Sequence, residues 1–339
     1  MYIKEEVSIM SNTTQALSRI EAILDDSSFV EIGARVTARA TDFNMQEKKA
    51  PSDGVITGYG VVNGNLVYVY SQDASVLGGT IGEMHAKKIA SLYEKAMKMG
   101  APVVGLIDCA GLRLQEATDA LNGFGEIYKN MSLASGIIPQ ITAVYGECGG
   151  GLAVLAELSD FVFVEEKKAK LFVNSPNALD GNYESKLDTS SAKFMAEAGV
   201  VDFVGDEETI ANGVRQLVSM LPSNNAEGTV CTDNQDDLNR VCQDMEAEIA
   251  DSALALTDIS DDGVFVEAKA EYAKEMVTGF ILVDGVTVGA VANRTALYDE
   301  NGEKAEEFAP VLTTAGAYKA AEFVTFCNAF EIPVLTLTN

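Results

Sequence analysis

The sequence predicts an α/β protein with a largely parallel sheet, built as two copies of one unit of which the second is incomplete. Three features carry that reading. Short apolar runs alternate with helical patterns, several runs are continuous enough to be buried on both faces, and the order of the early segments recurs late in the chain. The 339 residues exceed one average domain, and 47% hydrophobic against 22% charged residues is enough for a sizeable core.

The elements follow in order. Residues 13 to 24 read as a helix, and Ser27–Ile32 as a short strand. After a polar loop from Thr41 to Asp53, Val55–Val62 and Leu66–Tyr70 flank Asn63-Gly64, the strongest short hairpin signal. From Gly82 the period changes: Ile89, Leu92, Tyr93, Ala96 and Met99 line one helical face, which Gly100 closes. Pro102–Ile107 is a strand covered on both sides. A helix carrying Leu121, Phe124, Tyr128 and Met131 follows, then a strand at Gln140–Tyr145, a helix opened by Gly149-Gly150-Gly151, and a strand at Phe161–Val164. Ligands of such sheets bind where strands end, which directs attention to Asp108–Arg113 and Gly146–Gly151.

Beyond Leu221 the chain turns acidic and Asn-rich, with a polar helix expected from Asp236 to Ile249. Then the opening words return. Leu24–Glu31 is echoed by Ile259–Glu267, Ile56–Gly64 by Val277–Gly285, and Ala101–Leu106 by Ile332–Leu337. The expected organisation is a first domain over 1–225, a linker over 226–252, and the start of a second domain over 253–339. A strand at Val334–Leu337 without covering helices leaves a sheet edge open, for a partner chain or for more of the same protein.

Lys and Arg number 24 against 51 Asp and Glu, a net charge of −27, so the average field repels nucleic acid and anionic lipid surfaces. The five cysteines, Cys109, Cys148, Cys231, Cys242 and Cys327, form no C-x-x-C pair. That disfavours a zinc ribbon or a disulfide scaffold and suits a reducing, cytoplasmic setting. No apolar run approaches the ~20 residues that span a bilayer, and Met1–Val7 lacks the basic start of a signal peptide.

Two glycine-rich turns, Cys109-Ala110-Gly111-Leu112-Arg113 and Gly146-Glu147-Cys148-Gly149-Gly150-Gly151, can aim main-chain N–H groups at one point, or can serve only close helix–sheet packing. A thioester carbonyl on its way to an enolate needs two such donors, each contributing ~3 kcal/mol to the transition state. Cys148 also occupies the place of a nucleophile in an elbow motif, yet the one histidine, His85, precedes it instead of following. Gly78-Gly79-Thr80-Ile81-Gly82-Glu83 resembles a phosphate-binding turn without the Gly-Lys-Ser/Thr of a P-loop. Lys87, Lys88 and Arg113 are local cations, either for the phosphates of a carrier such as coenzyme A or as a solvated helix face.

Taken together, Gly78–Ile89, Asp108–Glu116, Ser135-Gly136-Ile137-Ile138-Pro139-Gln140 and Gly146–Gly151 resemble the biotin-dependent acyl-CoA carboxyltransferases, with Phe265-Val266-Glu267 and Val291-Ala292-Asn293 similar to that family's second domain. The resemblance implies two crotonase-like ββα superhelices, the first binding acyl-CoA and the second biotin on a carrier protein. It implies a homo-oligomer with its site between protomers, no metal, and an oxyanion hole made by the N–H groups of Leu112 and Gly150, with Gly111, Gly149 and Gly151 shaping the turns. Gly78, Gly79, Lys87 and Arg113 are the expected coenzyme A contacts. The implied reaction moves a carboxyl group between biotin and the acyl α-carbon through an enolate. Leu112 stands where the family usually has Ala, and Gly-Leu-Arg-Leu is similar to malonate decarboxylase. A malonyl-thioester decarboxylase subunit and a non-catalytic assembly subunit are therefore the alternatives.

Overall fold

The computed structural model describes residues 14–39, 50–178, 186–234, 236–237, 239–242, 245–299 and 301–338. The expected loop from Thr41 lies outside these as far as residue 49, as does Met1–Val7. Helix α1 (Gln15–Ile23) starts where the Thr14 hydroxyl accepts the Leu17 N–H at 3.3 Å. After β1 (Val30–Ile32) come β2 (Val55–Val62) and β3 (Asn65–Gln72), joined by Asn63 (φ 49°) and Gly64 (φ 84°). Both turn residues are left-handed, as a tight hairpin requires. The Asp25 carboxylate accepts both their N–H groups at 3.1 Å.

Helix α2 (Glu83–Met99) ends on left-handed Gly100, as its sequence predicts. It is followed by β4 (Val103–Ile107), α3 (Ala117–Ala134), β5 (Gln140–Val144), β6 (Glu147–Gly149), α4 (Gly151–Glu157), β7 (Phe161–Glu165), β8 (Lys170–Phe172), α5 (Ala192–Glu197), β9 (Phe203–Gly205) and α6 (Glu207–Met220). Seven strands form one sheet in the order β1-β2-β3-β4-β5-β7-β9, parallel from β3 onward. Every residue of β4, β5 and β7 is buried. Ile89, Phe124 and Leu152 from α2, α3 and α4 pack one face of the sheet, while Ile20 of α1 and Val214 of α6 pack the other.

Two side chains expected inside are outside: Leu121 is 63% and Met99 60% exposed. A Cβ on Gly123 would lie 2.7 Å from that of Ala86, so α2 and α3 approach closely there. That contact turns Gly123, Phe124 and Ile127 inward and Leu121 to solvent.

In the later part, α7 (Met245–Glu248) and α8 (Ser252–Ile259) precede β10 (Phe265–Ala268), β11 (Met276–Val283) and β12 (Val286–Asn293). The ribbon β13 (Ala296–Tyr298) with β14 (Lys304–Glu307), helix α9 (Thr314–Ala329) and β15 (Val334–Leu337) complete it. The second sheet runs β10-β11-β12-β15, with two antiparallel pairings and then a parallel one, the same pattern as β1 to β4. The match extends to single pairs. Glu31 lies opposite Gly58 and Glu267 opposite Gly279. The Tyr68 N–H donates to the Pro102 carbonyl at 2.9 Å, and the Gly289 N–H to that of Pro333 at 2.8 Å. A Cβ on Gly58 would meet the Phe29 ring and the Val30 carbonyl, each at 2.4 Å; one on Gly279 would meet the Phe265 ring at 2.7 Å and the Val266 carbonyl at 2.3 Å.

The expected polar helix from Asp236 is shorter: among the described residues helix spans only Met245–Glu248, and residues 235, 238, 243 and 244 lie outside them. This acidic stretch also follows the second sheet, with the Thr232 N–H donating to Gly285 at 2.8 Å and Arg240 Nη2 to the Ser260 carbonyl at 2.7 Å. The two copies share a core. The Phe326 ring stands edge-on to Phe161 at 4.8 Å, and Phe161 lies 5.8 Å from Phe280.

Candidate active site

Three loops meet where β3, β4 and β5 end. The Ala110 N–H donates to the Gly78 carbonyl at 3.0 Å, and the Cys109 N–H to that of Glu147 at 3.2 Å. The loop after β4 is further fastened by Ile81, whose N–H donates to Gly111 at 2.9 Å and whose carbonyl accepts from Arg113 at 2.9 Å. In such a parallel bridge the residue between the two partners turns its own amide the other way. That residue is Leu112, and among the described residues nothing accepts its N–H. Gly111 provides the turn with a φ of 102°, and a Cβ there would meet nothing within 4 Å.

The second expected donor is corrected. The Gly150 N–H is taken, donating to the Phe172 carbonyl at 2.8 Å as it extends the pairing of β6 with β8. Gly150 instead bends the chain (φ 61°, ψ −121°), so the next amide, that of Gly151, opens α4 without a helical acceptor. Gly149 and Gly151 shape this turn by leaving room: a Cβ would lie 2.7 Å from the Phe172 ring in one case and 2.8 Å from the Tyr128 hydroxyl in the other. Tyr128 donates to the Gly151 carbonyl at 2.7 Å and fixes its tilt.

The expected coenzyme A contacts are otherwise engaged. Arg113 is 2% exposed; its Nη2 donates to the carbonyls of Asp53 at 2.9 Å and Thr80 at 2.5 Å, and Nη1 pairs with Glu116 at 3.0 Å. Buried, and with Nε also donating to the Thr80 hydroxyl at 3.2 Å, it clamps these loops together. Glu116 in turn accepts the Glu83 N–H at 2.6 Å, so the start of α2, attractive to an anion in the sequence, already holds a carboxylate of the chain itself. Lys87 is half-exposed but paired with Glu83 at 2.6 Å. The Gly79 N–H donates to Val76 at 2.9 Å, and a Cβ on Gly79 would meet the Asp108 carbonyl at 2.5 Å; Gly78 offers its carbonyl to Ala110. Both glycines serve the approach of loops.

Thiol chemistry finds no support. Burial pushes the Cys109 thiol up to about 12 and that of Cys148 further. His85 is wholly buried, with Nδ1 3.1 Å from the Asp53 carbonyl and Nε2 3.2 Å from the Gln72 amide. A carbonyl only accepts, so Nδ1 carries the proton; burial, with Arg113 nearby, brings the imidazole down to about 3. Among the described residues no group of three His, Cys, Asp or Glu side chains is placed to hold a metal ion, and no helix is long and apolar enough to cross a membrane.

Beside the loop after β5 opens a cleft of about 610 Å³, lined by Glu147, Phe172 and Asn177 among others and flanked by Lys170 and Lys186. At the matching strand ends of the second sheet, Asn293 and Leu337 line a more apolar cleft of about 340 Å³ with Val311 and Leu312. Sequence reasoning missed Phe172 and Tyr128, which set the turn through a carbonyl and a hydroxyl; neither role leaves a local pattern.

The chain matches the carboxyl transferase domain family over residues 11–339. It is 38% identical to the propionyl-CoA carboxylase beta chain of Roseobacter denitrificans, covering 96% of this chain and 64% of that one. It is 36% identical to the methylmalonyl-CoA decarboxylase subunit alpha of Propionigenium modestum, covering 97% and 64%. A crystal structure of transcarboxylase 12S with hydrolysed methylmalonyl-coenzyme A bound superposes with a TM-score of 0.85 at 32% identity, over 96% of this chain and 63% of the other. The chain thus spans just under two thirds of the length of these relatives.

Proposed function

The chain belongs to the carboxyl transferase family, and from that premise we propose that it transfers a carboxyl group between biotin and the α-carbon of an acyl-CoA. The observation that carries the proposal is the Leu112 amide, turned away from its ladder and without an acceptor among the described residues. We assign the second donor to Gly151, in place of Gly150. Removing an α-proton from a thioester moves charge onto its carbonyl oxygen, and two fixed amides stabilise that oxygen without reorganising. Biotin, carried on a partner protein, supplies the carboxyl group and takes the α-proton on the ring nitrogen that releases it, or in the reverse direction takes the carboxyl group and returns the proton. The cleft flanked by Lys170 and Lys186 suits a coenzyme A thioester, and the apolar cleft at Asn293 and Leu337, with Thr336 at its wall, suits the body of a biotin ring.

The names of the relatives favour propionyl- or methylmalonyl-CoA as substrate. In this reading residues 1–225 hold the acyl-CoA, 226–252 link, and 253–339 begin the biotin half. The site is completed by a second protomer, as the hexamer named for transcarboxylase 12S suggests, or by a chain that adds to the open edge of β15. The described cysteines, all free, suit work in the cytoplasm.

The test has two stages. Calorimetry with acetyl-, propionyl- and malonyl-CoA reads binding, and malonyl-CoA decarboxylation with free biotin reads transfer in the assembled complex. Leu112→Pro, which lacks the N–H, is expected to bind the thioester and lower turnover about a hundredfold or more. Absence of coenzyme A binding by the wild type, or full turnover by Leu112→Pro, overturns the reading.

A further inference from the structure

Arg19 lies on α1, yet its guanidinium reaches the ends of two central strands. It is 6% exposed, its Nη1 donates to Asp108 Oδ2 at 2.8 Å, and its Cζ lies 4.4 Å from the centroid of the Tyr145 ring. Asp108 immediately precedes the loop that presents Leu112; Tyr145 immediately precedes the loop that presents Gly151. A single side chain therefore braces both turns at their roots. A third contact, Nη2 to Glu207 Oε1 at 3.5 Å, holds the guanidinium from the start of α6.

The other partners fit that role. A Cβ on Gly146 would lie 2.1 Å from Asp108 Oδ1, so only glycine lets this carboxylate tuck beneath the loop after β5. The Tyr145 N–H donates to the Ile107 carbonyl at 2.9 Å, locking the two strand ends together beside it. The ion pair is only partly buried, with the Asp108 side chain 20% exposed, and such a pair gains little net stability because desolvation offsets much of its attraction. What it does provide is fixed geometry, and main-chain donors lose much of their effect when displaced by about an ångström.

We propose that Arg19 is a positioning residue that sets the separation of the Leu112 and Gly151 amides through Asp108 and Tyr145. The proposal rests on the oxyanion reading above and adds to it the group that holds the hole in register. Lysine at this position carries the charge on a flexible stem and cannot both donate to Asp108 and lie flat on the Tyr145 ring.

The readout is the stretching frequency of an isotope-labelled thioester carbonyl in propionyl-CoA bound to the full chain, which falls when two donors polarise it. Wild type is expected to show that fall. Arg19→Lys is expected to keep its affinity within about twofold and lose most of the frequency shift. In the assembled complex its kcat then drops about tenfold with KM unchanged. A folded Arg19→Lys protein that binds propionyl-CoA with the full wild-type shift overturns the proposal. If that variant does not fold, Asp108→Ala removes the other half of the pair and is judged by the same shift. A wild-type protein that binds propionyl-CoA without any shift instead overturns the oxyanion reading, and Arg19's role with it.

Discussion

Glycine decides more in this molecule than any charged residue, and at each important position for a different reason. Gly111 is needed for its φ of 102°, Gly146 for the Asp108 carboxylate, and Gly58 and Gly279 for the rings of Phe29 and Phe265, each two residues before the glutamate that pairs with the glycine. The last two make a matched test. Gly58→Ala and Gly279→Ala each place a methyl group against a carbonyl and a ring, and each is expected to lose about 1–3 kcal/mol in urea unfolding. Equal losses are the signature of a duplicated contact. The sequence made Gly64 and Gly100 legible, since turn and cap signals are local. Arg113 was not legible in this way, because a cation beside a glycine turn reads alike whether it faces solvent or, as here, bonds four groups of its own chain. Burial is decided by residues about sixty positions away, such as Asp53.

At the scale of elements, period and caps gave the order of strands and helices through the first sheet, and the strand-end rule pointed to the loops that carry the proposed donors. Faces were harder, because Leu121 turns outward through the crossing of α2 and α3 at Gly123. The start of α2 shows how elements depend on one another: its first amide is held by Glu116, which also neutralises buried Arg113. Glu116→Ala leaves that guanidinium without its carboxylate and is expected to cost about 3–5 kcal/mol, read as a lower Tm. Glu116→Gln keeps an acceptor for the Glu83 N–H and is expected to lose less. The proposed exchange of donor, Gly151 for Gly150, belongs to this scale too, since it is argued from the pairing of β6 with β8, which joins residues separated in sequence.

For the whole molecule the repeat was readable in three short echoes, whereas the joining of the copies was not, because Phe161, Phe280 and Phe326 come from distant segments. Asp202 lies at that junction, with its carboxylate accepting the Val162 N–H at 2.8 Å and the main chain of Lys269 bonded to its carbonyl. Burial raises it from 3.8 to about 7 against the pull of Lys269 and the Val162 N–H, with Glu322 and Glu157 adding to the rise. Between those values the folded state keeps a proton that the unfolded state releases. Stability from this group therefore falls as pH rises through the window and stays low above it. Asp202→Asn, still able to accept from Val162, is expected to raise Tm at about pH 8 and to matter little at about pH 4; the difference between the two melting curves checks it. The hole proposed at Leu112 and Gly151 is built of nitrogen atoms that nearly every amino acid contributes identically. Spelling changes in the gene at the Leu112 codon would thus retune the shape of the pocket while sparing its chemistry, and only proline there would silence it, whereas at Gly151 any Cβ would stand 2.8 Å from the Tyr128 hydroxyl. A lineage carrying this fold is free to try new acyl groups so long as the bends on either side are inherited intact.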